Sequence, residues 1–345
     1  MKEKYNLPTN YFYIDVWPLA DPLLYVCDPD VAQQVTVNHV TPKHPKNVEF
    51  MLHLAGPGDM VSSDGPHWKR WRSIFNPGFA ASHLMSLVPG IVDDSLVFCE
   101  KMREHADKGE VFRLEEDATR LTIDIIGKVA LDLPLGAQRG ENELVTALRD
   151  QVQLLPNEGI AIPFAMYRPD KVYQRWKNDR IMNSYIGKVL DERFAKAGTE
   201  SASAYVGQKK QRRRAILDLA LDAYQAELNQ AEKGQEKGQL AMDAEFKQGA
   251  ITQIRTFIFA GHDTTSSTIC YALYMLQKNP ECLAKLRKEH DEVLGGVENT
   301  PNTIRQDPHI LNKLEYTLAV IKETLRLYVL IVTLWSVCRV PRLTF

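Results

Sequence analysis

The feature that most constrains this chain is a long helical stretch, from about Ala244 to Lys278, with small and polar residues in its middle. The run from Ala260 to Thr268 contains one Gly, one Asp and several Thr and Ser residues between apolar flanks. Gly lowers helix propensity by about 1 kcal/mol relative to Ala, and Ser or Thr hydroxyls can bend a helix by bonding to the i−4 carbonyl. The missing Cβ at Gly261 would let a flat ligand approach the backbone, and Asp263 beside Thr264 offers a chain of proton donors. Taken alone, however, the stretch favours a kinked core helix with satisfied hydroxyls.

Periodic apolar residues predict further helices along most of the chain after residue 60. Apolar side chains recur at intervals of three and four residues, which places them on one helix face. The stretches with this pattern are His83 to His105, Leu114 to Leu133, Asp170 to Phe194, Ala215 to Tyr224 and Leu311 to Tyr328. Another helix is expected to begin at Asn279-Pro280 and to stop at Gly295-Gly296, because Asn and Pro favour helix starts and Gly favours helix ends.

A little sheet is expected near the N-terminus. The segment from Pro22 to Cys27 has the composition of a strand, and Asn6 to Val16 can supply its partner. Asp28 followed by Pro29 predicts the start of a short helix. The predicted fold class is therefore mainly α with a small β portion.

Composition excludes several functional classes. The 345 residues include 42 basic and 44 acidic ones, for a net charge of −2, which argues against a general nucleic-acid binder. The five cysteines are scattered and form no CxxC pair, which fits a reducing compartment. The histidines show no HExxH spacing, so no metal-ligand set is predicted. The Pro-containing segment 156–169 is predicted to be a loop, and the stretches 197–214 and 225–239 are polar and low in aromatic residues. The basic run 209–214 could be a nuclear-localisation or phosphate-binding patch, but a solvated loop before the helix from Ala215 explains it better.

Two shorter motifs can also carry chemistry. Trp68 and Arg72 are spaced i and i+4, so an indole N–H donor and a guanidinium share one helix face, a combination that suits an anionic oxygen ligand. Glu323 and Arg326 are spaced i and i+3, so they can form an ion pair, and neighbouring apolar residues favour its partial burial. Each motif alone is better explained as an ordinary amphipathic helix.

The three motifs together, in this order, resemble the cytochrome P450 family of haem-thiolate monooxygenases. Trp-x-x-x-Arg is followed by Ala-Gly-x-Asp-Thr-Thr and then by Glu-x-x-Arg, and the resemblance runs from about Leu23 to Tyr328. Intervening segments agree with it, namely Asp28-Pro29-Asp30, Phe75-Asn76-Pro77 and Asn279-Pro280-Glu281. Within the family, the sequence resembles fungal and other eukaryotic microsomal members. The resemblance implies a P450-like fold and a haem cofactor.

The resemblance assigns the haem-binding roles. Trp68 and Arg72 would bind a haem propionate, and the long helix would cross the distal haem face. The step from Ala260 to Gly261 would make room for dioxygen and substrate. The segment from Leu144 to Phe194 would roof the substrate pocket by analogy.

The resemblance also assigns the catalytic and structural roles. Thr264 would hydrogen-bond the dioxygen bound to haem, and Asp263 would help to relay protons to it. Glu323 and Arg326 would stabilise the haem-binding core without acting on the substrate. The haem supplies the organic chemistry, and the protein supplies the axial thiolate, orientation and protons.

The sequence departs from the family pattern at both ends. The family's haem-ligand segment, Phe-x-x-Gly-x-Arg-x-Cys-x-Gly, does not occur, and Cys338 lacks the surrounding glycines and is interpreted as a buried or incidental cysteine. We expect residues 1–328 to form a partial P450 domain and residues 329–345 a divergent tail, encoded by a shifted reading frame or a retained intron. No N-terminal membrane anchor precedes Tyr5, so the chain is expected to be trimmed at both ends.

Three functions remain open from the sequence. The first is a haem-dependent monooxygenase that inserts one oxygen atom from O2 into an apolar organic substrate. The second is an inactive, truncated family member without the axial thiolate, and the third is a helical interaction module without a cofactor. The family implies an NADPH-dependent reductase as electron donor, a small apolar substrate and no nucleic acid. It implies the cytosolic face of the endoplasmic reticulum for a full-length, anchored member, whereas the chain as written is expected to be soluble and cytoplasmic.

Overall fold

Twelve α-helices and a two-stranded sheet make up the part of the chain that the computed structural model describes, which is residues 11–14, 23–38, 42–43, 45–155, 168–203, 215–231 and 242–328. The strands are β1 (Tyr11–Ile14) and β2 (Leu23–Val26). The helices are α1 (Pro29–Gln33), α2 (Pro45–Leu54), α3 (Gly65–Phe75), α4 (Ala81–Lys108), α5 (Leu114–Leu131), α6 (Glu143–Gln153), α7 (Pro169–Ser203), α8 (Ile216–Ala231), α9 (Ala244–Lys278), α10 (Pro280–Leu294), α11 (Thr300–Gln306) and α12 (Glu315–Leu327). Short π and 3-10 turns cover Gln34–Asn38, Asn76–Phe79 and Pro308–Lys313.

The predicted fold class, mainly α with a small β portion, is confirmed. The strands β1 and β2 pair antiparallel with Tyr11 opposite Val26, and the rings of Phe12 and Tyr25 stack with centroids 5.5 Å apart. The carboxylate of Asp28 caps α1 by accepting hydrogen bonds from the N–H groups of Asp30 and Val31, as the Asp-Pro start predicted.

The long helix α9 has the predicted bounds, and one other expectation needs correction. The last predicted helix is broken into a 3-10 turn and α12, because Leu314 has φ −85° and ψ 66°. The two polar stretches are partly helical, since α7 continues to Ser203 and α8 to Ala231. The remainders of those stretches, including the basic run 209–214, lie outside the described residues, as do residues 156–167 and the tail 329–345.

The core forms where α9 packs along α5, with α3, α7 and α8 around them. Its most deeply buried apolar side chains include Ile123 of α5, Ile186 of α7 and Ile254 of α9, each with no exposed surface. Their removal from water stabilises the fold by about 1.5–3 kcal/mol per side chain. None of the helices in the described residues is both long and apolar enough to cross a membrane.

Polar side chains are also buried in the first half of α9, and distant segments supply partners for several of them. The hydroxyl of Thr252 and Nε of Arg255 have no hydrogen-bond partner among the described residues. The guanidinium of Arg255 is only 3% exposed, and it donates to Asp179 at 2.5 Å, to Asn183 at 3.1 Å and to the carbonyl of Leu54 at 2.6 Å. Burial lowers the pKa of Arg255, and the attraction of Asp179 opposes that effect. This side chain therefore joins α2, α7 and α9 at a single point.

A glycine sets the distance between α9 and α3. A Cβ atom built on Gly249 would overlap the indole ring of Trp71, which is 2% exposed and also packs on Phe75 and Phe246. The close approach lets the aromatic ring of α3 lie directly on the backbone of α9. The two helices thus keep a fixed separation at this contact.

We expect Gly249→Ala to lower the free energy of unfolding by about 1–3 kcal/mol, because the new methyl group overpacks the Trp71 contact. Chemical denaturation would measure the loss. Gly187→Ala on α7 is the matched control, because its Cβ would meet Lys247 and Ile251 at 3.4 and 3.5 Å, which are ordinary contacts. That control should be neutral, or stabilising by about 0.5–1 kcal/mol through helix propensity. Equal destabilisation of both variants would contradict the close-packing argument.

Candidate active site

The helix α3 separates its side chains into a buried and an exposed face. Trp71 and Phe75 point into the core, whereas Trp68 is 37% exposed and Arg72 is exposed one turn further on. Within the described residues, the side chains of Trp68 and Arg72 have neither a hydrogen-bond nor an ion-pair partner. Their neighbour Arg70, by contrast, is paired with Glu227 at 2.8 Å. The exposed face of α3 therefore offers an indole N–H and a cation that can bind an external anion.

The start of α3 is tied to α9 by a buried amide that the sequence analysis did not single out. Gln253 of α9 has no exposed surface; its Oε1 accepts from the N–H of Met60 at 2.9 Å, and its Nε2 donates to the carbonyl of Gly58 at 2.8 Å. His67 of α3 donates from Nε2 to the same Gly58 carbonyl at 2.8 Å. The position of Trp68, the next residue, is thereby fixed relative to α9. The only signal in the sequence is an amide in an apolar helix.

The middle of α9 stays helical through its polar run, and its hydroxyls are satisfied locally. Thr264 donates from Oγ1 to the carbonyl of Ala260 at 2.9 Å, and Thr268 donates to the carbonyl of Thr264 at 2.8 Å. Ala260 is exposed although the preceding turns of α9 are buried, and Thr264 follows it on the same face at i+4. Asp263 is exposed, about 100° away from Thr264 around the helix. Ala260 and Thr264 thus share an open strip of α9.

The side of Gly261 on which a Cβ atom would stand faces α5 and not an open ligand site. A Cβ atom at Gly261 would lie 2.9 Å from the side chain of Ile126 on α5, so the glycine makes room for a neighbouring helix. Beside it, Thr122 of α5 donates to the carbonyl of His262 at 2.7 Å, and His262 is buried. The space predicted for a flat ligand at Gly261 is therefore occupied in this direction by α5, and the role assigned to Gly261 toward dioxygen stays a prediction.

Glu323 and Arg326 form the predicted ion pair, but on the surface. The guanidinium donates from Nε at 2.7 Å and from a terminal nitrogen at 2.6 Å to the two carboxylate oxygens. The side chains are 55% and 66% exposed, so the expected partial burial is not found among the described residues. The hydrogen bond from Arg326 lowers the pKa of Glu323, and the same bond raises the pKa of Arg326. Both side chains face solvent, where such pairs contribute little to stability.

A carboxylate on α10 holds the first turn of α12, which carries this pair. Glu289 accepts hydrogen bonds from the N–H groups of Tyr316 and Thr317 at 2.6 and 2.9 Å, and from the hydroxyl of Thr317 at 2.7 Å. Thr317 in turn lies 2.8 Å from Nε2 of His290. At its other end, α12 reaches α9 through Tyr328, whose ring stacks on Tyr271 with centroids 4.1 Å apart. The helices α3 and α12, which carry the other two motifs, therefore both contact α9.

The comparisons with known proteins identify the fold. A family model described as Cytochrome P450 matches residues 11–338, so the chain belongs to the cytochrome P450 family. It is 39% identical over 319 residues to the cytochrome P450 monooxygenase acrF of Aspergillus aculeatus, covering 92% of this chain and 60% of that protein. It is 36% identical over 336 residues to the cytochrome P450 monooxygenase polC of Polytolypa hystricis, covering 95% of this chain and 56% of that protein.

The similarity to solved structures concerns the fold alone. A crystal structure of a cytochrome P450, CYP102L1, superposes with a TM-score of 0.72 over 95% of this chain and 68% of that one, at 19% identity. The chain spans about 60% of the length of the curated relatives it matches. The family assignment confirms the resemblance that the three motifs predicted.

Exposed groups on α3 and α9 are of the kinds that would suit haem. Trp68 and Arg72 provide unpaired donors for carboxylates, and the exposed strip of Ala260 and Thr264 provides a small side chain and a hydroxyl. Within the described ranges, no group of three or more His, Cys, Asp and Glu residues could hold a metal ion. Cys338 lies outside the described residues.

We expect Glu289→Gln to destabilise the chain at neutral pH and to have a smaller effect in acid. Burial alone would raise the pKa of Glu289, but the hydrogen bonds from Thr317 and from the N–H groups of Tyr316 and Thr317 lower it below the ordinary value of 4.5. Because the folded pKa is lowered, the stabilisation is present above pH 4.5 and is lost as the pH falls through the folded pKa. Urea midpoints of both proteins measured from neutral pH downwards would test this.

The matched control is Glu298→Gln, which neutralises an exposed carboxylate without a partner among the described residues. Its midpoint should follow that of the unmodified chain at every pH. A Glu289→Gln effect that is the same at neutral and acidic pH would contradict a role for the ionised carboxylate.

Proposed function

We propose that the protein is a haem-dependent monooxygenase that inserts one oxygen atom from O2 into a small apolar organic substrate. Membership of the P450 family supports this function, and both fungal relatives are named as monooxygenases. The observation that carries the proposal is the exposed, unpartnered pair Trp68 and Arg72 on a helix that Gln253 ties to α9. A helical interaction module would not need a buried amide that connects the helix carrying Trp68 and Arg72 to the helix carrying Thr264.

The chain's own residues bind and orient the cofactor. Arg72 and Trp68 would hold the haem propionates, the first through charge-assisted hydrogen bonds and the second through its indole N–H. Ala260 presents only a methyl group, so α9 can lie against the distal face. When bound, haem supplies the iron that activates dioxygen, which is chemistry the side chains themselves do not provide.

Thr264 and Asp263 take part in proton transfer. The hydroxyl proton of Thr264 is held at Oγ1 in the bond to the Ala260 carbonyl, which leaves the oxygen lone pairs free to accept a further hydrogen bond. Asp263 is exposed and can exchange protons with solvent. Since the two side chains diverge around the helix, a proton passes between them through a bridging water or a substrate group.

The remaining assignments follow from the family and are part of the proposal. An NADPH-dependent reductase supplies the electrons, and the α6 and α7 region roofs a pocket for an apolar substrate. An anchored, full-length form would lie on the cytosolic face of the endoplasmic reticulum. Glu323 and Arg326 keep a structural role, with no contact to substrate.

Haem binding by the chain tests the proposal, and Arg72→Gln tests the propionate site. The chain is expressed with haem supplied and reduced under carbon monoxide. The monooxygenase function requires the strongly red-shifted Soret band of a thiolate-ligated haem, even though the family's haem-ligand segment does not occur in this sequence. Arg72→Gln should weaken haem affinity about ten- to hundredfold, the equivalent of one hydrogen bond to a charged group at about 1.5–3 kcal/mol. Retained haem after dialysis gives the measurement.

Lys69→Gln serves as the control, because it removes an exposed positive charge from the same helix and should leave haem affinity unchanged. A haem spectrum without the red shift would favour the inactive family member, and no haem uptake at all would contradict cofactor binding by this chain.

Thr264→Ala should lower the amount of product formed per NADPH consumed by about tenfold or more, because positioned proton transfer contributes about 10²–10⁴ in rate and water can replace part of it. Product and NADPH are counted in the reductase-coupled reaction, with haem content checked in parallel. Thr268→Ala removes an equivalent hydroxyl one turn away and should leave the ratio unchanged. An unchanged ratio in Thr264→Ala would count against the proton role.

A further inference from the structure

A cleft lined by charged side chains lies beside α6, one of the helices proposed to roof the substrate pocket. It has a volume of about 420 Å³ and is bounded by α4, α5, α6 and the loop that connects α5 to α6. Its walls share no residue with the exposed faces of α3 and α9 that the proposed haem site uses. A volume of this size is in the range of small-molecule pockets, about 300–1,000 Å³.

Four cationic side chains from four different segments line this cleft. They are Lys101 of α4, Arg120 of α5, Arg139 of the connecting loop and Arg149 of α6. Lys101, Arg120 and Arg149 are half-buried, and none of the four side chains has a hydrogen-bond or ion-pair partner among the described residues. Partly buried cations without a counterion repel one another and lose hydration, so an anion in the cleft would relieve both costs.

Two carboxylates also line the cleft and do not neutralise it. Glu141 is exposed, and Asp150 accepts a hydrogen bond from Nε2 of Gln174 at 3.5 Å. Neither lies within ion-pair distance of the four cations, which leaves two positive charges in excess. The N-terminal end of α6, capped by the Asn142 side chain, also faces the cleft and adds partial positive charge.

A buried amide oxygen in the cleft wall lacks a donor. Gln138 is 3% exposed, and its Nε2 donates to the carbonyl of Asp94 at 3.2 Å. Its Oε1 is buried and has no hydrogen-bond partner. An unsatisfied buried acceptor destabilises the protein, and a hydroxyl group of a ligand that reached it would satisfy it.

We propose that this cleft binds a phosphorylated polyhydroxy compound, with its phosphate at the cationic side chains and a hydroxyl donating to Gln138. A phosphate carries up to two negative charges and three acceptor oxygens, and so matches several guanidinium groups better than a single carboxylate does. The carboxylates Glu141 and Asp150 can accept hydrogen bonds from further hydroxyls. The ligand is either a free sugar phosphate or the head group of a phosphoinositide lipid, which share this chemistry.

Isothermal titration calorimetry of the full chain with glucose 6-phosphate, inorganic phosphate and glucose tests the ligand class. Glucose 6-phosphate or vesicle-borne head group should bind, with inorganic phosphate and glucose each at least about tenfold weaker, since each lacks one half of the recognised groups. Arg120→Gln and Arg149→Gln should each weaken that binding about tenfold or more. The control Arg103→Gln on α4 removes an exposed charge outside the cleft and should bind normally.

Circular dichroism confirms that each variant is folded, and Lys101→Gln replaces any variant that is not. Co-sedimentation with phosphatidylcholine vesicles, with and without phosphatidylinositol 4-phosphate, distinguishes the two sources. Binding that depends on the phosphoinositide and is lost in Arg120→Gln assigns the lipid head group; binding of glucose 6-phosphate without vesicle binding assigns a free sugar phosphate. Equal binding by Arg120→Gln and Arg103→Gln, inorganic phosphate binding as tightly as glucose 6-phosphate, or no binding of either source would overturn the proposal.

Discussion

The rest of the structure depends on the hydrogen bonds that buried polar side chains of α9 make to distant segments of the chain. The helix is about 50 Å long and runs through the core. Gln253 and Arg255 sit in its buried half, where an unpaired amide or guanidinium would be costly, and each is bonded to backbone carbonyls of distant segments. The same bonds that satisfy these groups also hold the loop before α3 and the end of α2 against α9. The hydrogen bonds that satisfy these buried polar groups are therefore the same ones that position the candidate site.

Local signals predicted the elements well. The bounds of α9 follow from Asp243, whose carboxylate accepts from the N–H groups of Glu245 and Phe246, and from Pro280 beyond its other end. Asn279 shows the limit of such reasoning. It stands before α10 as predicted, but its side chain donates back to the carbonyl of Met275 and so caps the end of α9 instead. The residue types Asn and Pro indicate the boundary between α9 and α10. The hydrogen-bond partner of the Asn279 side chain depends instead on which carbonyl lies within reach in the folded chain.

The sequence predicted which residues belong to the candidate site better than it predicted the contacts that position them. Trp68 and Arg72 could be recognised from their spacing, because i and i+4 share a face on any helix. The tether from Gln253 to residues almost two hundred positions earlier could not, since nothing in a single sequence encodes a contact of that separation. Gly261 illustrates the same limit, because a missing Cβ signals close approach but does not say whether a ligand or α5 approaches.

The Arg255 contact has a consequence for motion in the roof above the proposed pocket. Asp179 and Asn183 lie one turn apart near the middle of the described part of α7, and both bond to the same guanidinium. Sliding α7 along α9 would break this charged pair and leave a cation without its partner in the core. Further along α7, Asp191 forms a second ion pair with Lys247 of α9 at 2.6 Å. A movement of α7 against α9 would therefore have to break charged contacts at two points along the helix.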